Sequence, residues 1–129
     1  MTTNSQIAEA FYTAISTAGL GYSIAYPSKT FTPPNTGFWL ALSFIPNEGI
    51  DQGLSSPTVL QQGLLQVNVC GKPNCGSIDL YDISEQVAAV LPKNTIIAGN
   101  VRVSKTPYNT DIISIDDRQI LPLTIMYSE

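Results

Sequence analysis

Two thiols, Cys70 and Cys75, are the only cysteines of the chain, and histidine is absent. That pair of facts removes most of the familiar chemistries. Ser-His-Asp and Cys-His arrangements need an imidazole base. A structural zinc site usually takes four Cys/His ligands, so a lone C-x4-C cannot close one. The two thiols flank the turn Gly71-Lys72-Pro73-Asn74 and read either as unpaired or as a reversible bridge across it; the absence of a secretory leader argues for the unpaired form. Asp79, Asp82 and Glu85 are spaced by three, as on one solvated helix flank, and too few ligands accompany them for a Ca²⁺ or Mg²⁺ site. Asp116 and Asp117 are adjacent, so in a strand they point to opposite faces, and no glycosidase-type carboxylate pair is singled out. Gly19-Leu20-Gly21 follows a helix rather than opening one, the wrong context for a phosphate loop. Arg102 and Lys105 form the only close basic pair and read as a solvated strand face. The residues name no catalytic, cofactor-binding or metal-binding group, and the chain is expected not to be an enzyme and to carry no cofactor.

The elements around these residues are more legible. Gln62 to Cys70 alternates apolar and polar residues, with Leu65, Val67 and Val69 on one face and Gln66 and Asn68 on the other, the period of a half-buried strand. Before it, residues 5–18 repeat Ile7, Phe11 and Ile15 at helical spacing. Thr3 with Gln6 resembles a capping box, and Gly19 suits a left-handed C-terminal cap. Tyr22–Tyr26 reads as a short strand. Phe38–Ile45 is the most apolar strand, and apolar residues on both its faces imply a central strand or one whose second face meets another subunit. It is expected to pair with Gln62–Cys70 as an antiparallel hairpin across Pro46–Leu60, a loop far longer than ordinary hairpin connections and hence a candidate contact arm. Residues 77–90 read as a second helix through Leu80, Ile83, Val87 and Val90, stopped by Pro92. Strand segments at 95–98 and 101–104, bent at Gly99-Asn100, lead into Pro107–Asp117, an extended connection. Ile120–Tyr127 is the last strand, and Pro122 places that end at an edge or a bulge. The expected fold class is α+β: a mixed, mainly antiparallel β-sheet with two α-helices packed on one face.

At 129 residues the chain suits a single domain, 1–129, with one core. Charged residues are 12%, about half the usual share. A surface so poor in charge implies burial against partners or copies of itself; the alternative is a weakly charged monomer kept soluble by Ser, Thr, Asn and Gln. Net charge is −4, and the six basic residues are scattered, so tight binding to duplex phosphates is not expected. Neither a signal segment nor an apolar run long enough to span a bilayer is visible. Synthesis in the cytoplasm and no membrane contact are therefore expected.

Four ordered stretches carry a family resemblance: Phe31-Thr32-Pro33-Pro34 leading into Phe38–Ile45 and Pro46; Gly63-Leu64-Leu65-Gln66-Val67-Asn68-Val69; the helix ending in Val90-Leu91-Pro92; and the terminal Leu121-Pro122-Leu123-Thr124-Ile125-Met126-Tyr127. In order and spacing they resemble the phage tail terminator-like family, related to the tail terminator of lambda-type siphophages. The resemblance implies a non-enzymatic structural protein that forms a hexameric ring on the head-proximal end of the tail tube, stops tube polymerisation and offers a head-joining surface. It implies as partners further copies of the chain, the tail tube protein and head or neck connector proteins. DNA would pass through the channel without sequence-specific binding. The expected location is the host bacterial cytoplasm during assembly and then the virion tail. Cys70–Cys75 departs from the family pattern, where a small-residue turn is expected. A head–tail connector or neck protein of similar size is the alternative, followed by a small-ligand binding domain. Candidate assembly-interface residues are Asp51, Gln52 and Asp111 in the two long connections, Gln66 and Asn68 on the polar strand face, and Arg102 and Lys105.

Overall fold

Thr3 opens helix α1 (Asn4–Thr17) with a complete capping box: its hydroxyl accepts from the Gln6 amide at 3.2 Å, and its own amide donates to Gln6 Oε1 at 2.9 Å. Two amides that the first turn leaves without helical partners are thereby satisfied. Gly19, at φ 69°, reverses the chain after the helix. The computed structural model describes residues 3–27, 29–33, 37–47, 50–51, 59–115 and 117–129, with backbone alone at 50–51 and 59–60. After α1 come strands β1 (Ser23–Ala25), β2 (Trp39–Pro46), β3 (Ile50–Asp51), β4 (Val59–Leu60) and β5 (Gln62–Gly71). Helix α2 (Ser77–Val90) follows, then β6 (Ile96–Ala98), β7 (Val101–Val103), β8 (Tyr108–Asn109), β9 (Ile113–Ile115) and β10 (Arg118–Ser128).

Eight of these strands form one sheet in the order β1-β2-β5-β10-β7-β6, with β8 and β9 also pairing along β10. All pairings are antiparallel except β1 with β2, which is parallel. The expected mixed α+β architecture is present. β2 and β5 pair from Trp39↔Cys70 to Pro46↔Gly63, the hairpin anticipated from the alternating pattern. The intervening connection is partly ordered into the β3–β4 ladder, which extends the hairpin beyond the main sheet.

Two expectations are corrected. β10 is not at an edge: it pairs with β5 from Gln119↔Gly71 to Ser128↔Gln62 and with three strands on its other side. Pro122 is tolerated there because its carbonyl accepts from the Thr110 amide at 3.3 Å and from Asn109 Nδ2 at 3.2 Å. A strand residue's nitrogen points to the same side as its carbonyl, so the missing N–H faces the interruption between β8 and β9. The second correction concerns Pro107–Asp117, which is not a free connection; β8 and β9 bind it to β10.

Alternation along the three longest strands sorts the sheet into two faces. Leu40 and Leu42, then Leu65, Val67 and Val69, then Leu121, Leu123, Ile125 and Tyr127 are buried on one face. They share a core with Ile7, Phe11 and Ile15 of α1 and with Leu80, Ile83 and Val87 of α2. Both helices therefore cover the same face. The Phe11, Phe44 and Tyr127 rings pack at its centre, with Phe44 and Tyr127 stacked at 5.7 Å. Gly63 is required here: a Cβ would stand 2.6 Å from both the Ile45 carbonyl and the Tyr127 hydroxyl.

Candidate assembly interface

Among the described residues, no helix packs on the sheet face away from α1 and α2. Across β2, β5 and β10 it presents the cross-strand rows Ala41–Asn68–Pro122, Ser43–Gln66–Thr124 and Ile45–Leu64–Met126. Gln66 and Asn68, two residues apart on β5, join through Nε2–H···Oδ1 at 3.3 Å. Both are half-buried, so each retains further hydrogen-bonding capacity toward whatever lies over the sheet. This is the polar centre read from the alternation.

Around it lies an apolar rim. Tyr108 stands opposite Thr124, Ile113 opposite Ile120, and Ile115 opposite Arg118, so all three project from the same open face. Their exposures are 40%, 49% and 50%. Ile45 at the end of β2 and Ile96 on β6 are also exposed on this side. Large aliphatic side chains exposed together on one face make that face the candidate for coverage by a partner.

Cations are placed at its margins over aromatic rings. The Lys105 ammonium lies 4.9 Å from the Tyr108 ring centroid. Lys72 and Arg118 lie 5.7 Å and 5.5 Å from the ring of Trp39, which is buried to 2% exposure beside Cys70. Such contacts hold the charge in place while leaving it available at the surface. Arg118 also pairs with Asp117 at 3.1 Å, and this bond holds the Asp117 carboxyl below, and the Arg118 guanidinium above, their ordinary ranges. Arg102, between buried Val101 and Val103, projects outward on the open face.

The sequence-derived candidates thus separate into groups. Gln66, Asn68, Arg102 and Lys105 share the open face. Asp111 is exposed on the segment between β8 and β9, at the margin of the sheet. Asp51 belongs to the β3–β4 ladder away from them, and Gln52 lies outside the described residues. Sequence reading missed Tyr108, Ile113 and Ile115. The alternation Ile113-Ser114-Ile115 is a strand signal, masked by the Pro, Asn, Thr and Asp that precede it.

Both thiols are free. The Cys75 sulfur lies 3.3 Å from Gln119 Oε1 and fills the space that a side chain at Gly71 would need. Burial pushes the Cys70 thiol up to about 11, so it stays protonated and is a poor nucleophile at neutral pH. The turn between them places Asn74 at φ 65° after Pro73, with the Cys75 amide bonded to the Lys72 carbonyl at 3.1 Å. On the helix side, a cleft of about 440 Å³ runs along α1 between Glu9, Tyr12, Tyr26 and Lys29, floored by the edge-to-face Tyr12–Tyr26 pair. Among the described residues no group of three or more His, Cys, Asp or Glu side chains is placed to hold a metal. No helix among them is long and apolar enough to cross a membrane.

The sequence model of the phage tail terminator protein family matches residues 6–127. The chain belongs to that family. Solved structures share the terminator chain's fold at low identity. One, a protein without a functional description, superposes with a TM-score of 0.78 at 22% identity, over 99% of this chain and 96% of that one. A chain from the virion of a native gene transfer agent particle superposes with a TM-score of 0.63 at 12% identity, over 97% of this chain and 96% of that one. No curated protein sequence matches. Membership of the terminator family supports a structural role in phage tails.

Proposed function

We propose that the protein caps the head-proximal end of the tail tube as a homo-oligomeric ring, stopping tube polymerisation and presenting the surface to which the head joins. The observation that carries this reading is the family match over residues 6–127. The open sheet face supports it physically. Four strands abreast at about 4.8 Å spacing, along ten residues at about 3.3 Å rise, make a face of roughly 600 Å², close to the roughly 800 Å² per partner of a stable protein interface. Its half-buried central amides, with exposed isoleucines and ring-bound cations around them, give it the mixed polar and apolar character of a protein interface. The β3–β4 extension reaches beyond the sheet as a contact arm toward tube or head proteins. DNA would pass the ring without sequence-specific contact, in a chain with six basic residues and a net charge of −4.

Deletion of the gene followed by electron microscopy of the particles tests the reading. Tails of uncontrolled length are the expected result. Normal, capped tails in the deletion would refute it, and complete length-controlled tails that fail to join heads would assign the protein to the neck instead.

A further inference from the structure

A single row of paired residues, Ser23–Trp39–Cys70–Ile120–Ile113, crosses five strands from β1 to β9. It places two sheet edges at the same level, about 19 Å apart at about 4.8 Å per strand. Among the described residues no strand pairs with the outer side of either β1 or β9. The third edge strand, β6, packs beside α1.

The backbone of β9 aims polar groups outward. The Pro122 and Met126 carbonyls accept from the Thr110 and Ser104 amides, so alternate residues of β10, Arg118 and Ile120 among them, turn their polar groups to that same side. Arg118 and Ile120 therefore bond their partners Ile115 and Ile113. Ser114, opposite Gln119, is left with its N–H and C=O pointing away from β10. Ile113 and Ile115 are 49% and 50% exposed beside it. An exposed apolar edge with outward backbone groups is a template for another strand.

We propose that the β9 edge of one copy receives the β1 edge of the next, extending the sheet from chain to chain. With both copies in the same orientation the two strands run antiparallel, because β1 is parallel to β2 and to β10, and β9 is antiparallel to β10. Ser23 and Ala25 lie on the open face with their partners Trp39 and Ala41, and their small side chains leave room beside Ile113 and Ile115. Charge selects the occupant. Pairing β9 with β9 of another copy, centred on Ser114, would oppose the exposed carboxylates of Asp111 and Asp117. The stretch from Gly19 to Pro27 carries no charge. Lys29, exposed just after β1, would come alongside Asp111, exposed just before β9. Unlike edges meet head-to-tail, and such contacts close into rings or run on as filaments. The inference rests on the ring reading above and names the edges that would join the ring's subunits.

Disulfide trapping of the full-length protein at about millimolar concentration tests it. Chains carrying Ile113→Cys are mixed with chains carrying Ser23→Cys or Ala25→Cys, oxidised, and the linked peptides are read by mass spectrometry. A link between the unlike edges is expected with at least one of the two, at about tenfold or more the yield of Ile113→Cys chains linked to each other. Ser114→Cys is the face control: position 114 points to the opposite side of the sheet, so its links to the same two variants should be about tenfold weaker. Sedimentation gives the second arm. Ser114→Pro removes the outward N–H without touching the β10 ladder, and should weaken self-association by about tenfold or more. Circular dichroism confirms folding; if Ser114→Pro fails to fold, the disulfides decide. No link between unlike edges, links that ignore the face, dominant β9–β9 links, or a folded Ser114→Pro that associates like the parent protein would each overturn the contact. Uncapped tails on gene deletion without these links would keep the capping function and remove this contact; the links together with normal tails in the deletion would do the opposite.

Discussion

Replacing Tyr127 by phenylalanine is expected to stabilise the fold. The Tyr127 side chain is 1% exposed, and its hydroxyl finds no hydrogen-bond partner among the described residues. A buried hydroxyl without a partner costs about 1–3 kcal/mol. Phenylalanine removes that cost and keeps the ring stacked on Phe44 at 5.7 Å and against Phe11 at 5.6 Å. The space left by one oxygen atom returns about 0.5 kcal/mol at about 24 cal/mol per Å³ of cavity. The net gain is about 1 kcal/mol, a rise in Tm of about 3–5 °C for a chain of this length. Alkaline pH sharpens the test. Burial pushes the Tyr127 phenol up to about 12 from 10.0. The unfolded chain therefore gives up this proton first, and the group's contribution, intact below pH 10, is lost as pH rises from 10 to 12. The advantage of Tyr127→Phe should grow over that window by at most about 2–3 kcal/mol, at about 1.4 kcal/mol per unit. Urea unfolding followed by fluorescence of Trp39, the single tryptophan, at micromolar protein and a series of pH values measures both effects. A variant that loses 1 kcal/mol or more at pH 7 would show that the hydroxyl is hydrogen-bonded, and an unchanged difference between pH 9 and 11 would refute the linkage.

Gly63→Ala should cost about 1–3 kcal/mol as an overpacked site, and about 1 kcal/mol less beside Tyr127→Phe, because one of its two 2.6 Å collisions is with that hydroxyl; a double-mutant cycle by urea unfolding measures the coupling. Asn109→Ala should cost about 1–3 kcal/mol, since Asn109 Nδ2 donates to the buried Ser84 hydroxyl at 2.6 Å and to the Pro122 carbonyl at 3.2 Å; hydrogen exchange should show the β8 and β9 amides losing protection. Thr3→Ala should remove about 1 kcal/mol by opening the capping box of α1, read as a lower Tm. Cys70 should react with a thiol reagent far more slowly than Cys75 at pH 8, because it is 1% exposed and its thiol is pushed up to about 11; equal rates would place Cys70 at the surface.

Periodicity along the chain was enough for both helices, the β2–β5 hairpin and the inward set Leu65, Val67 and Val69, because a buried stripe writes its own spacing into the sequence. The capping box was legible for the same reason: Thr3 and Gln6 are local partners, three residues apart. Lack of histidine and of a ligand cluster made a reaction centre unexpected, while the ordered motifs by themselves carry the resemblance to the terminator family. The place of β10 was not legible. Pro122 argued locally for an edge, and only the neighbouring strands reveal that its carbonyl is occupied and that its missing N–H meets the break between β8 and β9. Nor did the segment 107–117 declare itself, since two- and three-residue strands have too few alternations to register and gain their order from β10.

The candidate interface divides along the same line. Gln66 and Asn68 belong together by alternation alone. Their union with Arg102, Lys105, Tyr108, Ile113 and Ile115 depends on strands distant in sequence lying side by side, which is a property of sheet order and register. The sequence by itself determined which residues turn inward. Tertiary structure decided which outward residues share a face, and so which charges and isoleucines can act together, because contacts across a sheet are set by pairing between strands rather than by spacing within one.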